Sequence, residues 1–332
     1  RGAAVTAREV LDRGVTRIEG ELSGQPEVQA ALLEVVGRVY QNLGLYARAT
    51  PLVEKTLELR RETLGPERPE VAEGLSNLGE LLRLKGEYKK ADPVLRDALA
   101  LNRRVRGERH CSEARILNNL AKVLSATGGY REAETISRQA LEISRASFGE
   151  RHVEVAESLN NLAAVAFARG DDGAAEPLFR QALAVRRAVV GDDHPLVPAA
   201  LTNLASVLTR KGDYDAAERA HREALALYRR LLGQEHPRVA TNLNNLALVL
   251  YAKKDYAAAE PLFRESLEMR RKLLDARHAD IAQSASNLAL LLQTTGRLEE
   301  ADPLYREALD IRRRAFGEEH TLVAQTLNNL GL

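Results

Sequence analysis

The sequence predicts an all-α solenoid in which antiparallel helix pairs stack one after another along the chain. Three observations predict it: an Asn-Leu-Ala/Gly motif with a period of 42 residues, two apolar stripes of helical spacing per period, and small residues at fixed positions. A chain that resembles itself every ~20–50 residues stacks like units instead of forming separate compact domains. The motif begins at seven asparagines: Asn77, Asn119, Asn161, Asn203, Asn245, Asn287 and Asn329.

Each period contains two helices, as the block 154–195 illustrates. Its first stripe, which predicts helix A, consists of Val155, Leu159, Leu162, Ala163 and Ala166. Its second stripe, which predicts helix B, consists of Ala175, Leu178, Phe179, Ala182 and Leu183. Gly170 separates the stripes, and Gly191 suits the left-handed position after the second helix. The Ala175 position is alanine in every repeat, which allows close contact between helices.

This plan predicts three regions along the chain. Residues 1–25 contain an N-terminal capping helix at 6–22, residues 26–319 form seven helix pairs, and residues 320–332 form the first helix of an eighth, truncated repeat. A terminal repeat needs a cap because its outer face has no neighbour. The chain begins without methionine and ends inside a predicted helix, so we expect it to be a piece of a longer protein.

Composition excludes several classes of function. The chain carries 48 Lys and Arg against 47 Asp and Glu, so no overall positive field attracts nucleic acid or an anionic membrane. No apolar run reaches the ~18 residues of a membrane span. Cys111 is the only cysteine, which rules out an internal disulfide and a thiolate metal site and favours a reducing, cytoplasmic setting. We predict no metal, no cofactor, and neither a nucleic-acid nor a membrane partner.

The Leu-Gly or Leu-Ala pair of helix A, with an alanine twelve residues later, resembles the signature of the tetratricopeptide repeat (TPR). The 42-residue period and the phrase Asn-Asn-Leu-Ala at 160–163 and 244–247 are similar to the kinesin light chain type. The resemblance covers residues 26–332. It implies a right-handed superhelical solenoid that binds a peptide or partner segment in a concave groove and has no enzymatic activity.

The opening segment is similar to the region that starts TPR arrays behind bacterial Ser/Thr kinase domains. The similarity runs from Thr6 to Tyr46, and no kinase motif occurs in the chain itself. A second hypothesis for function follows from it: the chain is the sensory or substrate-docking region of a larger signalling enzyme.

In TPR proteins the residue before the motif leucine points into the groove, and here that residue is the motif asparagine. An asparagine amide offers two donors and one acceptor, so it can pair with a peptide backbone without reading its sequence. We predict this role for four of them: Asn161, Asn203, Asn245 and Asn287. The alternative is that these asparagines bond to backbone or to the neighbouring helix and hold the repeats together.

Beside these asparagines, the first three repeats carry charged residues and the later four carry apolar ones. Exposed apolar surface commonly marks a binding site. We predict that the ligand also contacts Phe167, Leu248, Tyr251 and Leu290. The alternative is that these side chains pack against the adjacent repeat.

Six of the seven histidines recur with the same period: His110, His152, His194, His236, His278 and His320. Equivalent positions of stacked repeats lie about 10 Å apart, whereas metal ligands meet one ion at ~2 Å. We interpret these histidines as loop residues that cap helix A. His221 occupies a helix B position that is Phe179 and Phe263 in other repeats, and we expect it to be packed.

Arginine pairs recur at the ends of helix B: Arg60-Arg61, Arg103-Arg104, Arg186-Arg187, Arg229-Arg230, Arg270-Arg271 and Arg312-Arg313. Their charge complements the helix dipole and can pair with nearby glutamates. A phosphate-binding stripe is the alternative.

The sequence therefore predicts a non-enzymatic scaffold that captures a peptide or partner protein. A third hypothesis is self-association through residues 322–332, because nothing closes this end of the array. On that basis we expect Val323, Leu327 and Leu330 to be exposed.

Overall fold

The computed structural model of the protein describes residues 7–331, and within that range every regular element is an α-helix. Contacts between helices divide the chain into two compact units, residues 1–171 and 172–332. The described helices of the first unit are α1 (Ala7–Glu21), α2 (Pro26–Asn42), α3 (Tyr46–Leu64), α4 (Pro69–Leu84), α5 (Tyr88–Arg106), α6 (Cys111–Ala126), α7 (Tyr130–Phe148) and α8 (Val153–Arg169). Those of the second unit are α9 (Asp172–Val190), α10 (Leu196–Lys211), α11 (Tyr214–Leu232), α12 (Pro237–Ala252), α13 (Tyr256–Leu273), α14 (Ala279–Thr294), α15 (Leu298–Phe316) and α16 (Thr321–Leu330).

Within each unit the helices pack in consecutive pairs, as the sequence predicts. From α2 onward, an even-numbered helix is helix A of its repeat, and it packs most extensively against the helix B that follows it in the same unit. Successive A helices are also bonded to each other. Asn118 Nδ2 of α6 donates to Ser158 Oγ of α8 (3.0 Å), and Asn287 Nδ2 of α14 donates to Asn244 Oδ1 of α12 (3.0 Å).

The recurring alanine of helix B lies in the core of both units. All seven copies are at most 3% exposed: Ala49, Ala91, Ala133, Ala175, Ala217, Ala259 and Ala301. Because protein cores are close-packed, a larger side chain at this position has to displace its neighbours.

Helix α1 covers part of the outer face of α2. Tyr40 Oη of α2 donates to Asp12 Oδ1 of α1 (2.5 Å). Three side chains of α1 pack against the core around Tyr40: Leu11, Val15 and Ile18. An apolar stripe of α2 stays exposed: Leu32 (40%), Val35 (49%) and Val39 (36%). The role of residues 1–25 as a cap stays a prediction, and the contacts with α2 favour it.

At the other end, the expectation that Val323 is exposed is wrong. Val323 is 0% exposed, and Leu327 and Leu330 are half-buried, because α16 packs against α15. The apolar surface available in this segment is therefore smaller than the sequence suggests. Self-association through residues 322–332 stays a prediction.

The six periodic histidines cap helix A, as predicted. In each of them the imidazole Nδ1 accepts a hydrogen bond of 3.1–3.3 Å from the backbone N–H two residues later: His110, His152, His194, His236, His278 and His320. A ring that accepts at Nδ1 is the tautomer with its proton on Nε2. His221 is packed, also as predicted: it is 2% exposed, and its Nδ1 bonds to Asn242 Oδ1 (2.8 Å).

Lys254 follows α12 with a left-handed backbone (φ 64°), at a turn position that is glycine in the other repeats. The Lys254 N–H donates to Tyr251 O and the Asp255 N–H donates to Leu250 O (both 2.9 Å), which is the bonding of a helix end built on a left-handed residue. A side chain strains this conformation by about 1–2 kcal/mol. We therefore expect Lys254→Gly to raise the free energy of unfolding by about 0.5–1 kcal/mol in urea denaturation.

The control for this change is Lys254→Ala, which removes the charge but keeps the Cβ. It should give no such increase. An equal gain in both variants would assign the effect to the lysine charge and not to the backbone.

Candidate functional site

The predicted site residues lie on A helices of both units. In the first unit, α8 carries Asn161 and Phe167. In the second unit, α10 carries Asn203, α12 carries Asn245, Leu248 and Tyr251, and α14 carries Asn287 and Leu290. We refer to the face of α10, α12 and α14 that bears these six residues as the A surface of the second unit. The spacing of three between the residues on α12 places them on one stripe of that helix.

Asn245 and Asn287 occupy the same repeat position but are engaged differently. Asn245 is half-buried, and its side chain has no hydrogen-bond partner among the described residues. Asn287 is 8% exposed; its Nδ2 donates to Asn244 Oδ1 (3.0 Å), and its Oδ1 accepts from Gln283 Nε2 (3.0 Å). Asn287 therefore joins α14 to α12, whereas the amide of Asn245 is available to another molecule.

The other motif asparagines also differ from one another. Asn77 Nδ2 of the first unit donates to Glu34 Oε1 (3.0 Å), and Arg60 Nη2 donates to the second oxygen of the same carboxylate (2.7 Å). Asn161 is 4% exposed, and its Nδ2 has no partner in the described part of the chain. Asn203 is half-buried. Motif asparagines at the same repeat position therefore differ in burial and in their hydrogen-bond partners.

Tyr251 is held at the edge of the A surface by two neighbours. Its hydroxyl is 2.9 Å from Thr294 Oγ1 of α14, and its ring lies 5.4 Å from that of Tyr256, tilted against it. The other predicted apolar contacts are half-buried like Tyr251 itself: Phe167, Leu248 and Leu290. Each side chain packs partly against the protein and keeps part of its surface accessible, so packing and ligand contact are compatible.

Tyr305 of α15 supports the end of this surface. It is 2% exposed, and its hydroxyl donates to Gln293 Oε1 of α14 (2.9 Å). Burial, together with nearby Tyr251, raises the pKa of Tyr305 to about 12, so the hydroxyl remains a donor at physiological pH. A cleft of about 330 Å³ adjoins it, lined among others by Gln293, Tyr305 and Asn329.

The A helices of the two units differ in charge. In α10, α12 and α14, charged residues are confined to the first or last turn: Arg210, Lys211, Arg238 and Asp280. The first unit carries charges in the middle of its A helices, and they form pairs such as Glu80–Arg83 (2.8 Å) and Lys122–Glu157 (3.1 Å). The A surface of the second unit therefore consists of amides and hydroxyls interrupted by apolar side chains.

The arginines at the ends of helix B are largely engaged within the protein. One arginine of each of three pairs contacts a glutamate on the next helix B: Arg187 with Glu223, Arg229 with Glu265 (2.6 Å), and Arg271 with Glu307. These contacts confirm that the helix B arginines at these three positions pair with nearby glutamates.

The first arginine of three of these pairs is buried, which the sequence analysis did not predict. Arg186, Arg270 and Arg312 are each 4% exposed. Their Nη1 atoms donate to a backbone carbonyl at the start of the next helix A: Leu196 O (3.2 Å), Asp280 O (2.8 Å) and Leu322 O (3.3 Å). The recurrence of arginine at one repeat position was the available signal, although Asn102, Ser144 and Tyr228 interrupt it.

Among residues 7–331, no group of three or more His, Cys, Asp or Glu side chains is arranged to hold a metal ion. Cys111 is half-buried, with its Sγ 3.8 Å from His110 Nδ1. No described helix has the length and apolar character needed to cross a membrane.

Family profiles described as tetratricopeptide repeat match most of the chain, at residues 28–104, 112–188, 196–272 and 281–322. No curated protein sequence matches it.

Several solved structures share the fold. The crystal structure of BtubC (BKLC) from P. vanneervenii is similar, with a TM-score of 0.59 and 22% sequence identity. The match covers 71% of this chain and 94% of the BtubC chain. A putative kinesin light chain from Podosopora anserina, with nearly identical TPR-like repeats, has a TM-score of 0.54 at 24% identity, covering 62% and 98%. A Rap protein complexed with competence and sporulation factor has a TM-score of 0.68 at 18% identity, covering 95% and 81%. Together with the profiles, these neighbours confirm the predicted repeat type.

Proposed function

Because the chain belongs to the tetratricopeptide repeat family, we propose that its second unit is a non-enzymatic module that holds an extended peptide segment of a partner protein on the A surface. One observation carries the proposal: the amide of Asn245 has no partner in the described chain and lies on one stripe of α12 with the half-buried Leu248 and Tyr251. In the first unit, Asn161 and Phe167 of α8 contact such a peptide segment in the same way.

The chemistry of these side chains suits a peptide. The amide of Asn245 supplies two donors and one acceptor, enough for a backbone C=O and N–H. Leu248, Tyr251 and Leu290 add apolar contact, which contributes about 25 cal/mol for each Å² removed from water. Neighbouring helices lie ~10 Å apart and an extended peptide advances ~3.3 Å per residue, so equivalent positions on α12 and α14 meet about every third ligand residue.

Comparison with a similar structure supports a ligand-holding role. The Rap protein that shares this fold was crystallised in complex with competence and sporulation factor. Protein interaction is also the general use of a solenoid of repeats, because its stacked helices present a long continuous surface. We place this activity in the cytoplasm on the strength of the single cysteine.

The test uses a phage-displayed library of random peptides about twelve residues long as the probe. Peptides selected on the chain are measured against Tyr251→Ala and Asn245→Leu. We expect Tyr251→Ala to weaken binding by at least ~10-fold, because aromatic anchors dominate such interfaces. Asn245→Leu should weaken it by about 5- to 10-fold, the value of one or two backbone hydrogen bonds.

The matched control is Asn119→Leu, which makes the same change at the same repeat position in the first unit. Asn119 is half-buried and, like Asn245, its side chain has no hydrogen-bond partner in the described chain. It should change affinity by less than ~2-fold. Peptides that bind the wild type and both second-unit variants equally would contradict the proposed surface.

A further inference from the structure

Helix α2 carries an apolar stripe that stays exposed in the first unit, and we call it the α2 stripe. Its five residues follow one another at intervals of three or four and are 36–56% exposed: Val28, Leu32, Val35, Val39 and Leu43. Leu43 directly follows α2 and keeps a right-handed helical backbone (φ −82°, ψ 0°), so it prolongs the stripe. Residues with this spacing lie on one face of a helix. Scattered apolar side chains are normal on a protein surface, but a contiguous row of them indicates an interaction site.

The positions of Leu32 and Val39 are buried in the later repeats. At the position of Leu32 the residues are Gly74, Ile116, Ser158, Ala200, Asn242, Ser284 and Thr326. At the position of Val39 they are Leu81, Val123, Val165, Val207, Val249 and Leu291. In the first unit the preceding helix A provides part of this cover, because Asn118 Nδ2 of α6 donates to Ser158 Oγ of α8 (3.0 Å). The α2 stripe is therefore the face that a repeat ordinarily turns towards a neighbouring helix.

Helix α1 leaves the α2 stripe open because it packs beside it. Asp12 Oδ1 of α1 accepts from Tyr40 Oη (2.5 Å), and the Ile18 carbonyl accepts from Gln29 Nε2 (3.2 Å). Tyr40 and Gln29 lie about a quarter of a turn around α2 from the stripe, at ~3.6 residues per turn. Within the described chain, no helix A precedes α2 to cover the stripe.

The composition of the α2 stripe favours a helix with apolar side chains as its occupant. Val35 occupies the repeat position of the motif asparagine, and every later repeat has asparagine there. An extended peptide therefore finds no amide at this position to bond to its backbone. Two exposed charged residues, Glu27 and Arg38, lie on one flank of α2, so the centre of the stripe is free of charge.

The α2 stripe is complementary to a second copy of itself in the antiparallel direction. Its spacing is nearly the same read from either end: about a centre next to Val35, Val28 comes opposite Leu43, and Leu32 comes opposite Val39. The interface of a two-fold symmetric dimer must have this property, because one patch serves both copies. The intervals of four, three and four residues from Val28 to Val39 are also those of helices that pack in pairs.

We propose that the α2 stripe is the interface of a two-fold symmetric homodimer, in which α2 of one copy packs antiparallel to α2 of another. The stripe is about 22 Å long, since a helix rises ~1.5 Å per residue, and a helix is ~10 Å across. Such a contact buries roughly half of the ~800 Å² per partner of a standard interface. The dimer is therefore weak, with a dissociation constant in the micromolar range. The inference goes beyond the proposed function, because the stripe lies in the first unit and the A surface in the second.

Sedimentation equilibrium from about 1 μM to about 300 μM tests the dimer, because this range spans the expected dissociation constant. The average mass of the wild type is expected to rise with concentration from the 36.6 kDa of one chain towards twice that value. Val35→Asp should weaken association by at least ~10-fold, because the dimer then buries an unpaired charge. Val35 is exposed in the single chain, so circular dichroism should show the fold of the variant unchanged.

The matched control is Val189→Asp, the same change at an exposed valine of α9 in the second unit. It should alter the dissociation constant by less than ~2-fold. A wild type that keeps the mass of one chain up to the highest concentration would overturn the proposal. A dimer that Val35→Asp leaves intact would also overturn it, and loss of that dimer in Leu327→Glu would place the contact at residues 322–332.

Disulfide cross-linking in a Cys111→Ser background tests the antiparallel arrangement. A disulfide requires Cα atoms about 4.4–6.8 Å apart. Val35→Cys should link to a second copy of itself, because Val35 lies next to the two-fold axis. Leu32→Cys should link to Val39→Cys in a mixture of the two variants, but not to itself. Self-linking of Leu32→Cys would show a parallel pair and overturn the proposed arrangement.

Discussion

Acidification from about pH 7.5 to about pH 5.0 is expected to lower the free energy of unfolding by about 1–2 kcal/mol, because the folded protein holds His221 and His236 in the neutral form. His236 caps α12 by accepting the Arg238 N–H at Nδ1 (3.1 Å). Protonation turns Nδ1 into a donor and adds a positive charge at a helix N-terminus, where the dipole disfavours it. The loss of this N-cap costs about 1 kcal/mol.

Two histidines establish the sign of this pH dependence. Burial lowers the pKa of His221, and burial together with nearby Arg238 lowers the pKa of His236. The unfolded chain therefore takes up these protons at a higher pH than the folded protein does. The stability is fully present above the unfolded pKa of about 6.5, and it is lost as the pH falls through that value towards the lower folded values.

Urea denaturation at several pH values, on the wild type and two variants, measures the effect. The double variant His221→Phe, Asn242→Ser reproduces the pair Phe263 and Ser284 of the next repeat. It should remove the part of the pH-dependent loss of unfolding free energy that the buried imidazole of His221 contributes. His236→Asp keeps a side-chain acceptor at the cap, and the aspartate remains ionised at pH 5, so it should remove the contribution of that cap. An unfolding free energy that does not change between the two pH values would exclude this origin.

Ala217→Leu is expected to destabilise the protein by about 3 kcal/mol. Ala217 is 0% exposed, and every repeat carries alanine at its position. Three extra carbon atoms cannot be placed there without off-rotamer side chains or a shift of the helix, and such overpacking typically costs about 1–3 kcal/mol. Urea denaturation of the variant and the wild type at neutral pH gives the difference.

The same substitution on the exposed side of the same helix is the control. Ala226 of α11 is exposed, and Ala226→Leu should change the free energy of unfolding by no more than about 0.5 kcal/mol. Equal destabilisation by both variants would attribute the effect to leucine in α11 in general and not to close packing at Ala217.

The features that the sequence predicted correctly are those with a local signal. The two helices predicted for each period agree with the structure, because apolar stripes of helical spacing mark them. The capping role of His110 and its periodic equivalents also agrees, because an N-cap bonds to a backbone N–H only two residues away. Burial of His221 followed from the phenylalanines at the same position in other repeats.

The role of each motif asparagine could not be predicted in this way. Asn245 and Asn287 share a repeat position and the Leu-Ala that follows, so the local pattern does not distinguish them. Asn287 meets the acceptor of Asn244 on the preceding helix A. For Asn245, the residue on the preceding helix A at the repeat position of Asn244 is Thr202. The Thr202 hydroxyl donates to Pro198 O within its own helix (2.9 Å). The preceding repeat therefore decides which amide remains available.

The sequence by itself determined the α-helical class, the 42-residue repeat and the caps, because each depends on residues within a turn or two of one another or on simple recurrence. Only the tertiary structure decided which polar groups are satisfied and which are not. Arg60 is neutralised by Glu34, whereas Arg312, in the same repeat position, is buried without a carboxylate in the described chain. Such partners come from different helices, so a group's chemistry depends on what the neighbouring helix presents to it and not on its own surrounding sequence.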